Sequence, residues 1–403
     1  MLPALVVVFL ACVLGLSLLF PRAALIVWIV ALETSPDDWL AQLIGRHETI
    51  VAVIKGYGLV LLAVLALRHG LRRDRYNPAF AFGAMYLTGL IHGLYPGLTL
   101  LASTRSLIGS AAPFLFAFIR LPPHIIRAII RAALWGPLVS VAFGGLLAAL
   151  GLHAMYMVEQ GVLRLGAAGE PPFLAGFALV GLYAGLMEFL ASPRLGAAGL
   201  VLANFIIILL TGARAPLALA VGIILVLLVL QYRLFLLAFA GLLASAAVLF
   251  SGALSFIRII GLARLGEAAN LSHRNLVWPY FEHAFLASPF FGWGVGAGKV
   301  VIPYNATLAT LLGTNAAHDE YLRIGTEGGA FGLILLILLL GLWGYRGSAH
   351  LPVAQRLFMR LIFIGFAIQS ATDNTLIATT SSVLFLWCSG IFASSEKPPK
   401  AAA

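Results

Sequence analysis

Uninterrupted apolar runs decide what this chain can be. Residues 200–210 read LVLANFIIILL and residues 331–343 read FGLILLILLLGLW, with no charge and no alternation. A bilayer core about 30 Å thick is crossed by a helix of roughly 20 apolar residues. In lipid the backbone must satisfy its own hydrogen bonds, which leaves only helices and closed barrels. Barrel strands alternate polar and apolar over about 10 residues, and these runs do not. The expected fold is therefore all-α, a polytopic transmembrane helical bundle. Composition agrees: of 403 residues, 62% are hydrophobic and 10% charged, against about 45–50% and about 25% in soluble domains. An ordinary soluble enzyme, a disordered chain and a secreted disulfide scaffold are excluded. Cys12 and Cys388 lie in apolar stretches and form no disulfide or zinc spacing.

Apolar segments fall at about 3–20, 22–33, 50–68, 79–102, 106–120, 130–150, 171–190, 196–211, 215–231, 233–254, 327–345, 357–375 and 376–393, giving 12 or 13 spans. The first lacks a basic leader region and is read as a membrane segment. The expected organisation is an N-terminal bundle over 1–254, a large loop with an amphipathic helix over 255–326, and C-terminal spans with a short tail over 327–403. Cytoplasmic loops collect Lys and Arg. The cluster RHGLRRDR (Arg68, Arg72, Arg73, Arg75) is therefore placed in the cytoplasm. Alternation adds Arg120–Arg131, Arg194, Arg233, Arg346–Arg356 and the C-terminal tail to that side. Arg105, the loop 151–170, Arg214 and the segment 255–326 fall on the other.

The formal net charge is +10, and 21 of the 25 basic residues are Arg. Topology accounts for much of this. The guanidinium fork also matches phosphate bidentately, so an anionic lipid-linked substrate fits as a partner, alongside membrane lipids. Nucleic acid does not, because no soluble basic domain exists to hold it.

Four segments carry candidate chemistry. In LLTGARAP, Arg214 stands at a span end, where an arginine either snorkels to headgroups or faces inward toward an anion. In LSHRNLVWPYFEHAFLASPF, Arg274 and Trp278 share one face of an expected helix over 272–287. Ser272 is its expected N-cap, and Ser288-Pro289 ends it. The following GWGVGAG (Gly292–Gly298) reads as a flexible turn rather than a phosphate loop, because no strand precedes it. In GTNAAHDEYL, His318 has Asn315 and Tyr321 near enough to fix its tautomer, and a neutral imidazole is the form a general base needs. Consecutive His318, Asp319 and Glu320 point in different directions on a helix, so no metal and no cofactor is expected. Arg105 falls on the same predicted side. Three arginines and a histidine on one face suggest a pyrophosphate held by Arg and a hydroxyl activated by His.

Three of these segments resemble the O-antigen ligase / polysaccharide polymerase superfamily of bacterial inner membranes. They are LTGARAPLALAV, RNLVWPYFEHAFLASPFFGWGVGAG and AHDEYLRIGTEGGAFGLILLI, over roughly residues 196–346. Ala213 and Asp319 depart from the usual Ser and Asn. The resemblance implies a metal-independent inverting glycosyltransferase at the periplasmic face. Its donor is a glycan on undecaprenyl pyrophosphate. Its acceptor is a lipid A-core sugar in a ligase or a second lipid-linked glycan in a polymerase. It further implies that Arg214 and Arg274 bind pyrophosphate, that His318 is the general base, and that Trp278 and Tyr321 shape the site. Arg105 and Asn315 join as expected substrate-binding residues. Few carboxylates are expected on this face, against a two-carboxylate glycosidase. A polymerase of O-antigen or exopolysaccharide is the alternative within the superfamily. A lipid-linked glycan transporter is the alternative outside it, with Glu188 and Asp373 as its candidate mid-membrane acids.

Overall fold

The computed structural model describes residues 13–44, 47–159, 162–234, 274–303, 306–312 and 315–394, with 237, 240, 241 and 243. Most of the expected span 233–254, the stretch 255–273 and the cap Ser272 lie outside the described residues. Within them the chain is a helical bundle and a multi-pass membrane protein. Six helices are long and apolar enough to cross a membrane. These are α3 (His47–His69), α5 (Leu100–Leu115, continued by a short 3-10 turn), α6 (Pro123–Ala149), α7 (Pro171–Ala191), α12 (Glu320–Gly347) and α13 (Val353–Ser370). Shorter apolar helices accompany them: α4 (Ala79–His92), α8 (Leu195–Thr211), α9 (Arg214–Leu230) and α14 (Thr379–Ala393). The remaining helices are α1 (Pro21–Glu33), α2 (Pro36–Ile44), α10 (Arg274–Ala287) and α11 (Thr307–Leu312).

The expected continuous run 79–102 is divided. Gly93 adopts φ 111 and Gly97 φ 88 on either side of Pro96. Neither conformation continues a helix. A β-hairpin, Tyr156–Glu159 paired antiparallel with Val162–Leu165, fills part of the 151–170 loop. Hydropathy at span scale had not indicated it.

Helix α14 is the axle of the bundle. It packs on α1, α5, α6 and α7, and Val383 through Ala393 are all buried. A helix apolar around its whole circumference is buried by protein on all sides. Phe385 and Trp387 of α14, with Phe114 and Phe358 from neighbouring helices, are less than 2% exposed. Cys388 lies in the same core.

Hydrogen bonds sort the loops into two ends. Trp343 near the end of α12 donates to Asp74 Oδ2 at 2.8 Å, and Arg120 N donates to Gly70 O at 3.1 Å. The arginine-rich 68–75 segment, Arg120 and the α12–α13 turn therefore share one end. At the other end, Tyr95 N donates to Trp293 O at 3.1 Å and Arg164 Nε to Thr211 O at 2.7 Å.

Candidate functional site

The residue before the N-cap of α12 is held in a conformation that needs support. His318 has φ 49, a left-handed backbone that costs a non-glycine residue about 1–3 kcal/mol where neighbours enforce it. Two contacts enforce it here. Asp319 caps α12, its Oδ1 accepting from Tyr321 N at 2.9 Å and Leu322 N at 3.1 Å. On the other side the Trp278 indole donates to Ala317 O at 3.0 Å. The imidazole is partly exposed, and its Nδ1 lies 3.8 Å from Asp373 Oδ1.

Asp373 reaches that position because the loop carrying it is tied to α12. Glu320 Oε1 accepts from Leu376 N at 2.9 Å, and the Tyr321 hydroxyl donates to Ala367 O at 2.7 Å. The two bonds flank Asp373 in sequence. A carboxylate beside an imidazole orients it and selects its tautomer. Asp373 thus takes the place expected for Asn315 and Tyr321, whose donors are committed to backbone carbonyls. Asn315 Nδ2 bonds Lys299 O at 2.9 Å and Ile302 O at 3.2 Å.

The expectation of few carboxylates on this face needs correction. Glu320, Arg323 and Glu327 are buried together at the start of α12. Arg323 donates to both Glu320 oxygens at 2.7 Å and to Glu327 Oε1 at 2.9 Å. Both acids are engaged by one guanidinium, which leaves Asp373 as the carboxylate beside the histidine. Their spacing along one helix face was readable from the sequence.

GWGVGAG is a fixed seam and not a flexible turn. Helix α12 is interrupted at Gly329, with φ 61 and ψ −166. Trp293 N and Gly294 N donate to Thr326 O and Glu327 O at 3.0 and 2.8 Å, while Ala330 N and Phe331 N donate to Pro289 O and Phe290 O at 2.7 and 3.0 Å. The loop supplies the hydrogen bonds the broken helix gave up, as an interruption within a membrane requires. The approach is backbone to backbone: a Cβ on Gly292 would stand 2.5 Å from Gly328 N, and one on Gly329 2.3 Å from Phe290 C.

The same loop delivers Lys299, whose Nζ bonds Ser106 Oγ at 3.1 Å. Desolvation holds this ammonium below its ordinary value, opposed by Glu327 and reinforced by Arg323 and Arg105. Arg105, exposed on α5, is thereby placed close to Lys299, which sequence reasoning passed over. Arg214 is the first residue of α9, following the left-handed Gly212 (φ 64) that ends α8. Buried Arg164 of the hairpin braces that corner through its bond to Thr211 O. Helix α9 packs on α13, whose end leads to Asp373. Arg274 opens α10, and its side chain lies outside the described residues. Glu188 is exposed on α7.

The structure therefore brings His318, Trp278, Tyr321 and Asp373 together, with Asn315 securing the adjoining loop and Arg105 beside Lys299. No curated protein matches the chain at a significant level. A protein-family model described as O-antigen ligase matches residues 199–337. That stretch holds Arg214, Arg274, Trp278, Asn315, His318 and Tyr321, and the match supports the O-antigen ligase / polymerase superfamily for this chain.

Proposed function

We propose that the chain is an inverting glycosyltransferase of the O-antigen ligase type, in the bacterial inner membrane with its site facing the periplasm. The segment 255–326 forms most of the periplasmic loop in this reading, between the bundles 1–254 and 327–403. The donor is a glycan on undecaprenyl pyrophosphate, and the acceptor is a hydroxyl of a lipid A-core sugar. The observation that carries the reading is the pairing of His318, inside the stretch that the O-antigen ligase family model matches, with Asp373 beyond its end.

The chemistry follows from the groups present. His318 accepts the acceptor hydroxyl proton as its oxygen attacks the anomeric carbon, and Asp373 orients the imidazole and stabilises its charged form. The bond to the pyrophosphate oxygen breaks on the opposite face, and inversion results. Arg214 and Arg274 stabilise the charge growing on the leaving pyrophosphate through bidentate contacts. Arg105, Trp278, Asn315 and Tyr321 complete the substrate site, the last three chiefly by holding the His318 segment in place. No metal or cofactor enters the scheme.

A transfer assay tests it, with purified protein, undecaprenyl-pyrophosphate glycan and lipid A-core acceptor. His318→Ala is expected to abolish transfer. His318→Asn, which tolerates the left-handed backbone, is expected to do the same with an unchanged melting temperature. Near-normal transfer by either removes the histidine from the mechanism. Glycan chains lengthening on the carrier without acceptor establish the polymerase instead.

A further inference from the structure

Starting beside the His318 site, α12 and α13 enclose an apolar groove of about 400 Å³. Its walls include Leu333, Ile337, Leu340 and Ile364, and it runs from Tyr321 at one end to Tyr345 and Arg360 at the other. The far end is charged. The Arg360 guanidinium lies 4.0 Å over the Tyr345 ring, while its Nε is closed from solvent with no hydrogen-bond partner among the described residues. Arg356 stands one turn away on the same face of α13. No Asp or Glu occurs between Glu327 and Asp373. Among the described residues, Arg346, Arg356 and Arg360 have no carboxylate partner. This is the end of the bundle that holds the 68–75 arginine cluster, through Trp343 and Asp74, and basic clusters mark the cytoplasmic leaflet.

We infer that the α12–α13 groove binds an anionic phospholipid of the cytoplasmic leaflet, with its phosphate on Arg360 and one acyl chain in the groove. The charge at the groove's end decides the occupant. A phosphate oxygen supplies the acceptor that the buried Nε lacks, and in the proposed orientation the pyrophosphate of the donor lies at the opposite end of the bundle. Basic pockets between membrane helices on the cytoplasmic side select anionic headgroups for this reason. The acyl chain then lies along the helix whose first turn positions His318.

The test measures lipid retained by the purified full-length protein. After delipidation, the protein receives phosphatidylglycerol or phosphatidylcholine of matched chains, and bound lipid is counted by native mass spectrometry. The wild type is expected to retain phosphatidylglycerol in preference. Arg360→Gln should lower that retention by at least about tenfold, since it removes a charge-assisted hydrogen bond to the phosphate. Gly341→Leu should lower retention of either lipid, because a Cβ at Gly341 meets open space in the groove and no protein atom within 4 Å. His318→Asn should retain lipid as wild type does, so the transfer reading and this one fail separately. Equal retention by Arg360→Gln and wild type overturns the proposal and leaves Arg360 a snorkelling residue. Equal retention of the two phospholipids, or phosphatidylglycerol retained by Gly341→Leu as by wild type, overturns it as well.

Discussion

At the scale of single residues, the site depends on side chains that hold backbone more than on side chains that point at substrate. Trp278→Phe deletes the indole donor to Ala317 O along with part of the ring. It is expected to cost about 1 kcal/mol of stability, read as a lowered melting temperature, and to reduce kcat because His318 loses one of its two supports. Asp373→Asn keeps the shape and removes the charge beside the imidazole. Its expected effect is a large fall in kcat with an unchanged KM for donor, and Asp373→Glu should restore part of the rate. An equal loss in both Asp373 variants with altered donor KM points to a collapsed loop instead. His318 could be singled out from its polar company beside an apolar span. Asp373 could not be assigned to it, because 55 positions separate the two in the chain and an acid at a span end looks interfacial.

At the scale of elements, the interrupted helix α12 organises the site. Its cap adjoins the histidine, its first turns carry the buried Arg323 triad, and its break at Gly329 receives the glycine loop. Removing one partner from a buried ion group leaves uncompensated charge and costs roughly 3–5 kcal/mol. Arg323→Met is therefore expected to lower the folded yield sharply in a detergent-stability assay, since it strands Glu320 and Glu327 and leaves the Glu320 carboxylate that accepts from Leu376 N without its fixed position. Gly329→Ala combines a left-handed φ with a backbone contact at 2.3 Å. It should destabilise by more than the roughly 1 kcal/mol usual for such a φ alone, with unfolding followed by thermal melting. Sequence patterning placed a helix over 272–287 ending at Ser288-Pro289, and the described residues show it from Arg274 to Ala287. It read GWGVGAG as loose because glycine richness reports backbone freedom, and only a packed neighbour shows what that freedom is used for.

At the scale of the whole molecule, two ends with different chemistry are separated by an apolar bundle around α14. One end carries the 68–75 arginine cluster with Asp74 and the arginines Arg346, Arg356 and Arg360; the other carries His318, Asp373 and the cationic pair Arg105 and Lys299. The proposed orientation predicts that Leu152→Cys, in a background lacking the native cysteines, reacts with a membrane-impermeant thiol reagent in intact spheroplasts. Arg73→Cys should react only after lysis. The reverse pattern inverts the molecule and removes the periplasmic site. The bundle class, most span positions and the identity of the segments around Arg214, Arg274 and His318 were determined by the sequence alone. Lipid immersion forces helical hydrogen bonding onto any long apolar run, and motif residues lie close together in the chain. The partner of His318, the pairing of Lys299 with Ser106, the seam between Gly292 and Gly329 and the groove ending at Arg360 were decided only by the tertiary structure. Each joins segments that are distant in the chain or turned toward one another across a helix interface, and such contacts arise from packing, which local periodicity does not encode.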